Sequence, residues 1–197
     1  MILAGGEATR LPGKLELDVG GIPMIARVFR NLADGSERET FLSCKATLRA
    51  DVDALLPAPA VIDRWTRRGP LGGLLSTMAQ MRSPWVFAAA GDLPFVDAAF
   101  VGALAARRMP GDEAVVPVHV EEGRQMLEPL TALYDRVAFV REGLAVLRSG
   151  RGALRLVIDR LRTQFVETQD LRVFANVNTV TEYRTLGSEG TDTSTAF

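Results

Sequence analysis

The 197-residue chain has almost none of the side chains that build metal clusters and covalent cross-links. It contains one cysteine, Cys44, and one histidine, His119. A lone cysteine excludes a disulfide within the chain, and a lone histidine excludes sites built from paired histidines. We interpret Cys44 as a small buried residue at a strand end, with a catalytic thiol as the alternative. His119 lies in an apolar run, and we interpret it as a structural residue of a strand.

The chain also lacks an excess of charge of either sign and any long apolar run. Its 23 Lys and Arg residues are balanced by 24 Asp and Glu residues, which gives a net charge of −1. Near neutrality predicts no broad attraction to nucleic acid or to a membrane surface. No stretch has the length of a bilayer span, and no signal-peptide pattern is visible. With so little cysteine, the chain is expected to be cytoplasmic.

Short apolar runs alternate with helical patterns along the chain. The clearest is Trp85–Ala90, which is typical of a fully buried central strand. The alternation predicts a three-layer α/β/α fold with a mostly parallel, Rossmann-like sheet. Residues 1–187 are expected to form one domain, and the Gly/Ser/Thr-rich residues 188–197 a disordered tail. We predict strands at 1–4, 39–44, 60–62, 85–90, 114–120, 127–134 and near 165, and helices at 23–32, 71–81, 95–107, 138–147, 153–161 and 181–185.

The opening MILAGGEATRLPGK is the most informative stretch. A short apolar run ends at Gly5-Gly6, and Arg10 and Lys14 follow. Glycine lets backbone N–H groups approach an anion closely, and lysine adds a compact charge that reaches phosphate oxygens. The spacing fits neither the Walker pattern nor the dinucleotide fingerprint. The stretch predicts a phosphate site of another kind, in which Arg10 assists unless it forms only a surface ion pair.

Acidic residues follow two further predicted strands. Asp63 comes after residues 60–62, and Asp92 comes after residues 85–90. Ligands of open parallel sheets bind beyond the carboxyl ends of the strands. A carboxylate there is costly unless it is solvated, paired or bound to a cation, so Asp92 is a candidate Mg²⁺ ligand. The alternative is that Asp92 caps the helix predicted to start near Pro94.

The segment RRGPLGGLL is the third motif. Gly69-Pro70 indicates a turn, and Gly72-Gly73 allows another group to approach the backbone of the following helix. The alternative is that these glycines only permit close packing of the helix on the sheet.

Together these motifs resemble the molybdenum cofactor guanylyltransferase family, the MobA-like nucleotidyltransferases. The matching segments are LAGG with Arg10 and Lys14, GPLGG, GDLPF, EPLTALY and FANVNT. Their order covers almost the whole chain, to about Glu182. The resemblance implies a three-layer α/β fold and transfer of GMP from GTP to molybdopterin, with Mg²⁺ as cofactor and pyrophosphate as product. It also implies contact with other molybdenum cofactor biosynthesis or acceptor proteins.

The resemblance assigns roles to individual residues. Lys14, Arg10 and Asp92 are the implied catalytic residues, and Asp92 is the metal ligand. Asp63 falls at the family's base-contacting aspartate, whose carboxylate can accept from the two adjacent donors of guanine. The implied nucleotide-binding set is Leu3, Ala4, Gly5, Gly6, Lys14, Asp63, Pro70, Leu71 and Asp92. LAGG together with GPLGG favours GTP over CTP, because the related cytidylyltransferases tend to read LAAG and to lack GPLGG.

The acceptor side is assigned to residues of the second half. Asn176 and Asn178 carry amide groups suited to a pterin edge, and Glu128 lies on a predicted loop. Capping of a helix is the alternative for Asn178.

Three other functions remain as alternatives. They are a CTP-dependent molybdopterin cytidylyltransferase, a sugar-phosphate nucleotidyltransferase and a non-catalytic nucleotide-binding protein. The last is motivated by Glu7 and by the segment from Gly6 to Lys14, which is shorter than in the family.

Overall fold

The computed structural model describes residues 1–4, 14–16, 21–33, 39–45, 48, 50–65, 68–176 and 181–182. Within this part of the chain the strands are β1 (Ile2–Leu3), β2 (Leu42–Cys44), β3 (Ala60–Ile62), β4 (Trp85–Ala90), β5 (Ala114–Glu121), β6 (Arg124–Leu127), β7 (Thr131–Asp135) and β8 (Thr163–Glu167). The helices are α1 (Met24–Ala33), α2 (Ala50–Asp53), α3 (Gly69–Met78), α4 (Ala98–Ala105), α5 (Arg136–Arg148) and α6 (Arg155–Ile158). Short 3-10 helices lie at Lys14–Glu16 and Leu171–Phe174.

The strands form one sheet in the order β3-β2-β1-β4-β7-β5-β6, and β8 pairs with β5. β1 is parallel to β2 and β4, β2 is parallel to β3, and β5 is parallel to β8. β7 runs antiparallel to β4 and β5, and β6 runs antiparallel to β5. Of the strands described, only β6 and β7 therefore run against the others. This confirms the predicted mostly parallel sheet.

Helices cover both faces of the sheet. Alternate side chains of a strand point to opposite faces, and β4 follows this rule. Val86 and Ala88 join an apolar core with α3, α5 and α6, whereas Ala89 joins a second core with α1 and Val96. The three-layer α/β/α arrangement is confirmed. β4 is central, with the predicted bounds, although only three of its six residues are fully buried.

Several predicted elements differ in the structure. The strand predicted at 39–44 spans only Leu42–Cys44, and the helix predicted at 153–161 spans only Arg155–Ile158. The strand predicted at 127–134 is two strands, β6 and β7, which are separated by a turn in which Thr131 N donates to Glu128 O at 3.1 Å. Pro129 lies in this turn, and a proline has no N–H to donate to a sheet ladder. The helix predicted at 95–107 begins later, as α4, because Asp97 caps it by accepting from Phe100 N at 2.8 Å.

Several predictions fall on residues outside the described ranges. These are Gly5, Gly6, Arg10 and Asn178, together with the tail at 188–197. None of the helices in the described part of the chain has the length and apolarity needed to cross a membrane.

Candidate active site

Four of the predicted nucleotide-binding residues lie at one edge of the sheet. β1, β3 and β4 are parallel, so Leu3 and Ala4, Asp63 and Asp92 all lie at their carboxyl ends. Backbone hydrogen bonds join these ends: Ala4 N donates to the Ser43 carbonyl at 2.7 Å, and Asp63 N donates to the Cys44 carbonyl at 2.8 Å. The sheet therefore fixes the backbone from which the predicted site residues project.

Glycine is required directly before Asp92. Gly91 N donates to the Leu3 carbonyl at 3.0 Å. A Cβ atom at position 91 would lie 2.9 Å from that same oxygen, closer than side chains tolerate. The loop that follows is anchored by Asn31 of α1, whose amide donates to the Pro94 carbonyl at 2.7 Å. These contacts fix the loop on which Asp92 lies.

The structure brings Lys14 and Asp92 together. Lys14 Nζ donates to Asp92 Oδ2 at 2.9 Å, although the two residues are 78 positions apart in the chain. The Lys14 side chain is 10% exposed and that of Asp92 is 29% exposed. Asp92 does not cap α4, since Asp97 fills that position. The capping alternative for Asp92 is therefore wrong, and its carboxylate is available to an opposite charge.

Asp63 is a buried carboxylate with a fixed orientation. Its Oδ1 accepts from Trp65 N at 2.7 Å and from Ser76 Oγ at 3.1 Å. Ser76, on α3, is itself buried and accepts from Arg64 N at 2.9 Å. Because buried polar groups must be hydrogen-bonded, this network determines how the Asp63 carboxylate is oriented.

The GPLGG segment forms the first turns of α3. A Cβ atom at Gly72 would lie 2.5 Å from the Trp65 carbonyl and 3.0 Å from both carboxylate oxygens of Asp63. One at Gly73 would lie 2.5 Å from Ser43 Oγ on β2. The groups that approach these glycines belong to the protein, so the packing interpretation of the two glycines is confirmed.

The two other predicted residues of this segment differ in exposure. Pro70 is exposed in the first turn of α3, whereas the side chain of Leu71 is fully buried in the core.

Glu128, one of the predicted acceptor residues, lies at the same edge, toward β5. Glu128 N donates to the Pro117 carbonyl at 2.9 Å, and Ala90 N donates to the Leu130 carbonyl at 2.9 Å. The turn that carries Glu128 is thus tied to the end of β4. Burial raises the pKa of the Glu128 carboxyl, and the nearby His119 opposes that shift. Asn176 is exposed just beyond the 3-10 helix at Leu171–Phe174.

Sequence reasoning missed Ser76 as a partner of Asp63 and His119 as a neighbour of Glu128. His119 does lie in a strand, β5, as predicted. A single serine within an apolar helix was the only local signal for Ser76, whereas nothing local connects His119 with residue 128.

Cys44 is a structural residue. It is 1% exposed at the end of β2. Burial, with a smaller contribution from the negative charge of Asp53, raises the pKa of its thiol to about 11. Because the thiolate is the nucleophilic form, a thiol that stays protonated at neutral pH does not serve as a nucleophile. The catalytic alternative for Cys44 is wrong.

Asp92 has the chemistry expected of a Mg²⁺ ligand. Mg²⁺ takes one or two protein carboxylates and completes its shell with phosphate oxygens and water. Asp92 offers a partly exposed carboxylate at the sheet edge, directly beside the ammonium group of Lys14. The residues present therefore fit a metal ion that is shared with a bound nucleotide.

The fold and the group at its edge define the class of protein, a nucleotidyltransferase. Residues 1–165 match the model of the MobA-like NTP transferase domain. The molybdenum cofactor guanylyltransferase of Cupriavidus pinatubonensis is 30% identical over 190 residues, with 94% of each chain covered. That of Burkholderia ambifaria is 34% identical over 190 residues, covering 90% of this chain and 89% of its own. The chain belongs to the MobA-like NTP transferase family.

A solved structure shares the fold. The molybdopterin-guanine dinucleotide biosynthesis protein A from Archaeoglobus fulgidus superposes with a TM-score of 0.77 at 21% identity. The match covers 95% of this chain and 97% of that one. At this identity the likeness shows the fold alone.

Proposed function

We propose that this protein transfers GMP from GTP to molybdopterin, with release of pyrophosphate and Mg²⁺ as cofactor. Family membership and the names of the relatives support the reaction class. The observation that carries the proposal for this chain is the contact of Lys14 with Asp92 at the sheet edge where Asp63 also lies. A cation, a metal-binding carboxylate and a base-reading carboxylate are then present at the ends of parallel strands.

The reaction forms one P–O bond and breaks another. A phosphate oxygen of the acceptor attacks the α-phosphorus of GTP, and the bond from that phosphorus to the bridging oxygen of the leaving pyrophosphate breaks. A phosphate monoester is largely dianionic at neutral pH, because its second pKa is about 6. No protein base is needed for the attack. Positioning and charge stabilisation then provide the catalysis.

The residues at the edge divide these tasks. Lys14 neutralises the charge that grows on the leaving pyrophosphate, with Arg10 assisting. Asp92 holds Mg²⁺, which supplies charge neutralisation at the phosphates when bound. Leu3, Ala4, Gly5 and Gly6 contact the nucleotide through the backbone at the end of β1, as do Pro70 and Leu71 at the start of α3.

Asp63 selects guanine. The base presents an N1–H and an amino group as adjacent donors, and one carboxylate can accept a hydrogen bond from each of them. Its orientation by Ser76 and Trp65 restricts the directions from which a base can be bound. On the acceptor side, Glu128, Asn176 and Asn178 contact the pterin.

We also propose that the protein acts in the cytoplasm and exchanges cofactor with other molybdenum cofactor biosynthesis or acceptor proteins.

A substrate panel tests the proposed function. Purified protein is mixed with each of the four NTPs, with molybdopterin and with Mg²⁺ or EDTA, and pyrophosphate release is measured. We expect release only with GTP, molybdopterin and Mg²⁺ together. Equal or faster release with CTP would instead support the cytidylyltransferase, and release with a sugar phosphate as acceptor would support that class of transferase. GTP binding without release under any condition would support a non-catalytic protein.

A further inference from the structure

The proposed reaction leaves His119 without a role, although it lies among the predicted acceptor residues. Its imidazole is 12% exposed, and Nδ1 lies 3.5 Å from Glu128 Oε1. Within the described part of the chain, Nδ1 is buried and has no hydrogen-bond partner. A buried ring nitrogen normally has such a partner. Glu128 Oε1 lies 3.5 Å from this nitrogen, and hydrogen bonds in ligand-free sites are often long, so Glu128 is the partner that Nδ1 faces.

One face of the imidazole contacts the segment that leads to Asn176. The His119 ring is stacked on Phe174, with centroids 5.4 Å apart and planes at 20°. Phe174 also meets Phe100 of α4 edge to face, at 6.0 Å. Phe174 is the last residue of its 3-10 helix and stands two positions before Asn176. One side chain of β5 thus lies beside Glu128 and contacts a residue two positions before Asn176.

We infer that His119 is a positioning residue for the acceptor: it orients the Glu128 carboxylate and, through Phe174, the segment that carries Asn176. This inference rests on the proposed function, because the acceptor it refers to is molybdopterin. His119 does not contact the reacting phosphates in this role. Its effect is expected on acceptor binding and not on the nucleotide or on the chemical step.

Glu128 needs such a partner for electrostatic reasons. Its carboxyl is partly buried, and burial favours the uncharged form, which is why its pKa is raised. Glu121 adds a second negative charge nearby, whereas His119 acts in the opposite direction. A donor on His119 therefore stabilises the charged carboxylate in one orientation, which is the form able to accept from the N–H groups of a pterin.

Two substitutions separate the two contacts of the ring. His119→Phe keeps an aromatic ring for Phe174 but removes the donor toward Glu128. His119→Asn places an amide near the position of Nδ1 but removes the stack. Glu128→Gln changes the partner of His119 and leaves the sequence of β5 unaltered. If both contacts position the acceptor, each of the three variants weakens acceptor binding. For the two that alter the contact between His119 and Glu128, the expected effect is on the order of tenfold, as for loss of a hydrogen bond to a charged group.

The test combines two measurements on the full chain. Titration calorimetry gives the Kd for molybdopterin without nucleotide, and steady-state kinetics give KM for molybdopterin and for GTP. We expect His119→Phe to raise the acceptor Kd and KM about tenfold, with KM for GTP and kcat changed by less than about twofold. Glu128→Gln, which also alters the proposed contact with the pterin, should raise the acceptor Kd and KM at least as much. The double variant should bind the acceptor no more weakly than Glu128→Gln alone, because His119 is inferred to act through Glu128.

The outcomes distinguish this inference from the proposed function. Unchanged acceptor affinity in His119→Phe and Glu128→Gln, with an active wild type, would overturn the inference alone. An equal rise of KM for GTP would overturn it as well, since that indicates a general structural defect. Wild-type protein that binds molybdopterin but transfers nothing would refute the proposed reaction, while the Kd values still decide the role of His119. Failure of the wild type to bind molybdopterin would overturn both. If His119→Phe does not fold, Glu128→Gln and His119→Asn decide the matter.

Discussion

At the scale of single residues, the contact between Lys14 and Asp92 matters most. An ion pair near a surface adds little to stability, but this one places an ammonium group and a carboxylate at a sheet edge, which is where ligands of such folds bind. The two residues are far apart in the chain and are brought close because β1 and β4 are neighbouring parallel strands.

We expect Asp92→Asn and Lys14→Ala to lower kcat for GMP transfer by about 10²–10³-fold or more, because each removes a charge that acts on the phosphates. Because the Lys14 side chain is only 10% exposed, removing either partner also lowers stability, while the fold stays intact. Pyrophosphate release and thermal melting provide the two measurements. Asp97→Asn is the matched control, since it makes the same change on the same loop and asparagine also caps helices well. Near-normal turnover by Asp92→Asn would reject the metal role of that residue.

Asp63→Asn should weaken discrimination for guanine. The asparagine oxygen can still accept from Trp65 and Ser76, but the amide nitrogen replaces an acceptor with a donor that opposes the donors of guanine. We expect KM for GTP to rise by about 10–100-fold. Ser76→Ala should lower selectivity in the same direction by releasing the carboxylate. A KM for GTP equal to that of the wild type in both variants would exclude Asp63 from base recognition.

At the scale of secondary structure, the close approach of α3 to the sheet is the feature most sensitive to side-chain size. Gly72 meets the Trp65 carbonyl and the Asp63 carboxylate, and neither group can move without breaking the network around Asp63. The helix and the base-reading carboxylate are therefore positioned together.

Gly72→Ala is expected to destabilise the protein by about 1–3 kcal/mol, because a methyl group would overlap backbone that cannot shift freely. Urea unfolding measures the change. Gly102→Ala provides the control, since this glycine also lies inside a helix, α4, and a Cβ atom there meets nothing within 4 Å. That variant should be neutral or slightly more stable, as alanine favours helices. Equal stability of the two variants would contradict the packing argument.

Strands and helices were predicted well where a local sequence pattern determines them. The apolar run of β4 and the helical spacing of α1 and α3 are local, and these elements were predicted nearly within their bounds. The sequence pattern predicted no break between β6 and β7, because apolar residues continue through Leu127 and Leu130 on either side of Pro129.

At the scale of the whole molecule, carboxylates far from the site tie distant segments together. Glu113, before β5, accepts from Arg162 N at 3.0 Å and from Arg141 Nη2 of α5 at 3.1 Å. Hydrogen bonds and the two guanidinium groups lower the pKa of the Glu113 carboxyl below its ordinary value of 4.5. The pKa of the Glu39 carboxyl is lowered in the same way, by hydrogen bonds from Ser83 and Arg82.

These lowered pKa values predict that the free energy of unfolding decreases at acid pH. A carboxyl whose pKa is lower in the folded than in the unfolded protein stabilises the fold above the unfolded value, and this contribution is lost as pH falls below about 4.5 through the folded pKa. Glu113→Gln should cost about 1–3 kcal/mol at pH 7 and should flatten the decline toward low pH. Unfolding free energies between pH 7 and pH 3 measure this. Glu167→Gln, at an exposed position of β8, serves as control. An unchanged pH dependence in Glu113→Gln would refute the contribution.

The sequence by itself determined the type of fold, the central strand and the residues that follow the strand ends, because hydrophobic period and glycine placement act over short distances. It also carried motifs that predict the family, and residues 1–165 match the model of that family. Only the tertiary structure decided which of these residues meet. The pairing of Lys14 with Asp92, the burial of Asp63 against Ser76 and the position of His119 between Glu128 and Phe174 follow from the order of strands and the packing of helices on the sheet. β7 lies between β4 and β5, and no local pattern encodes an insertion of that kind, because strand order is set by contacts between segments far apart in the chain.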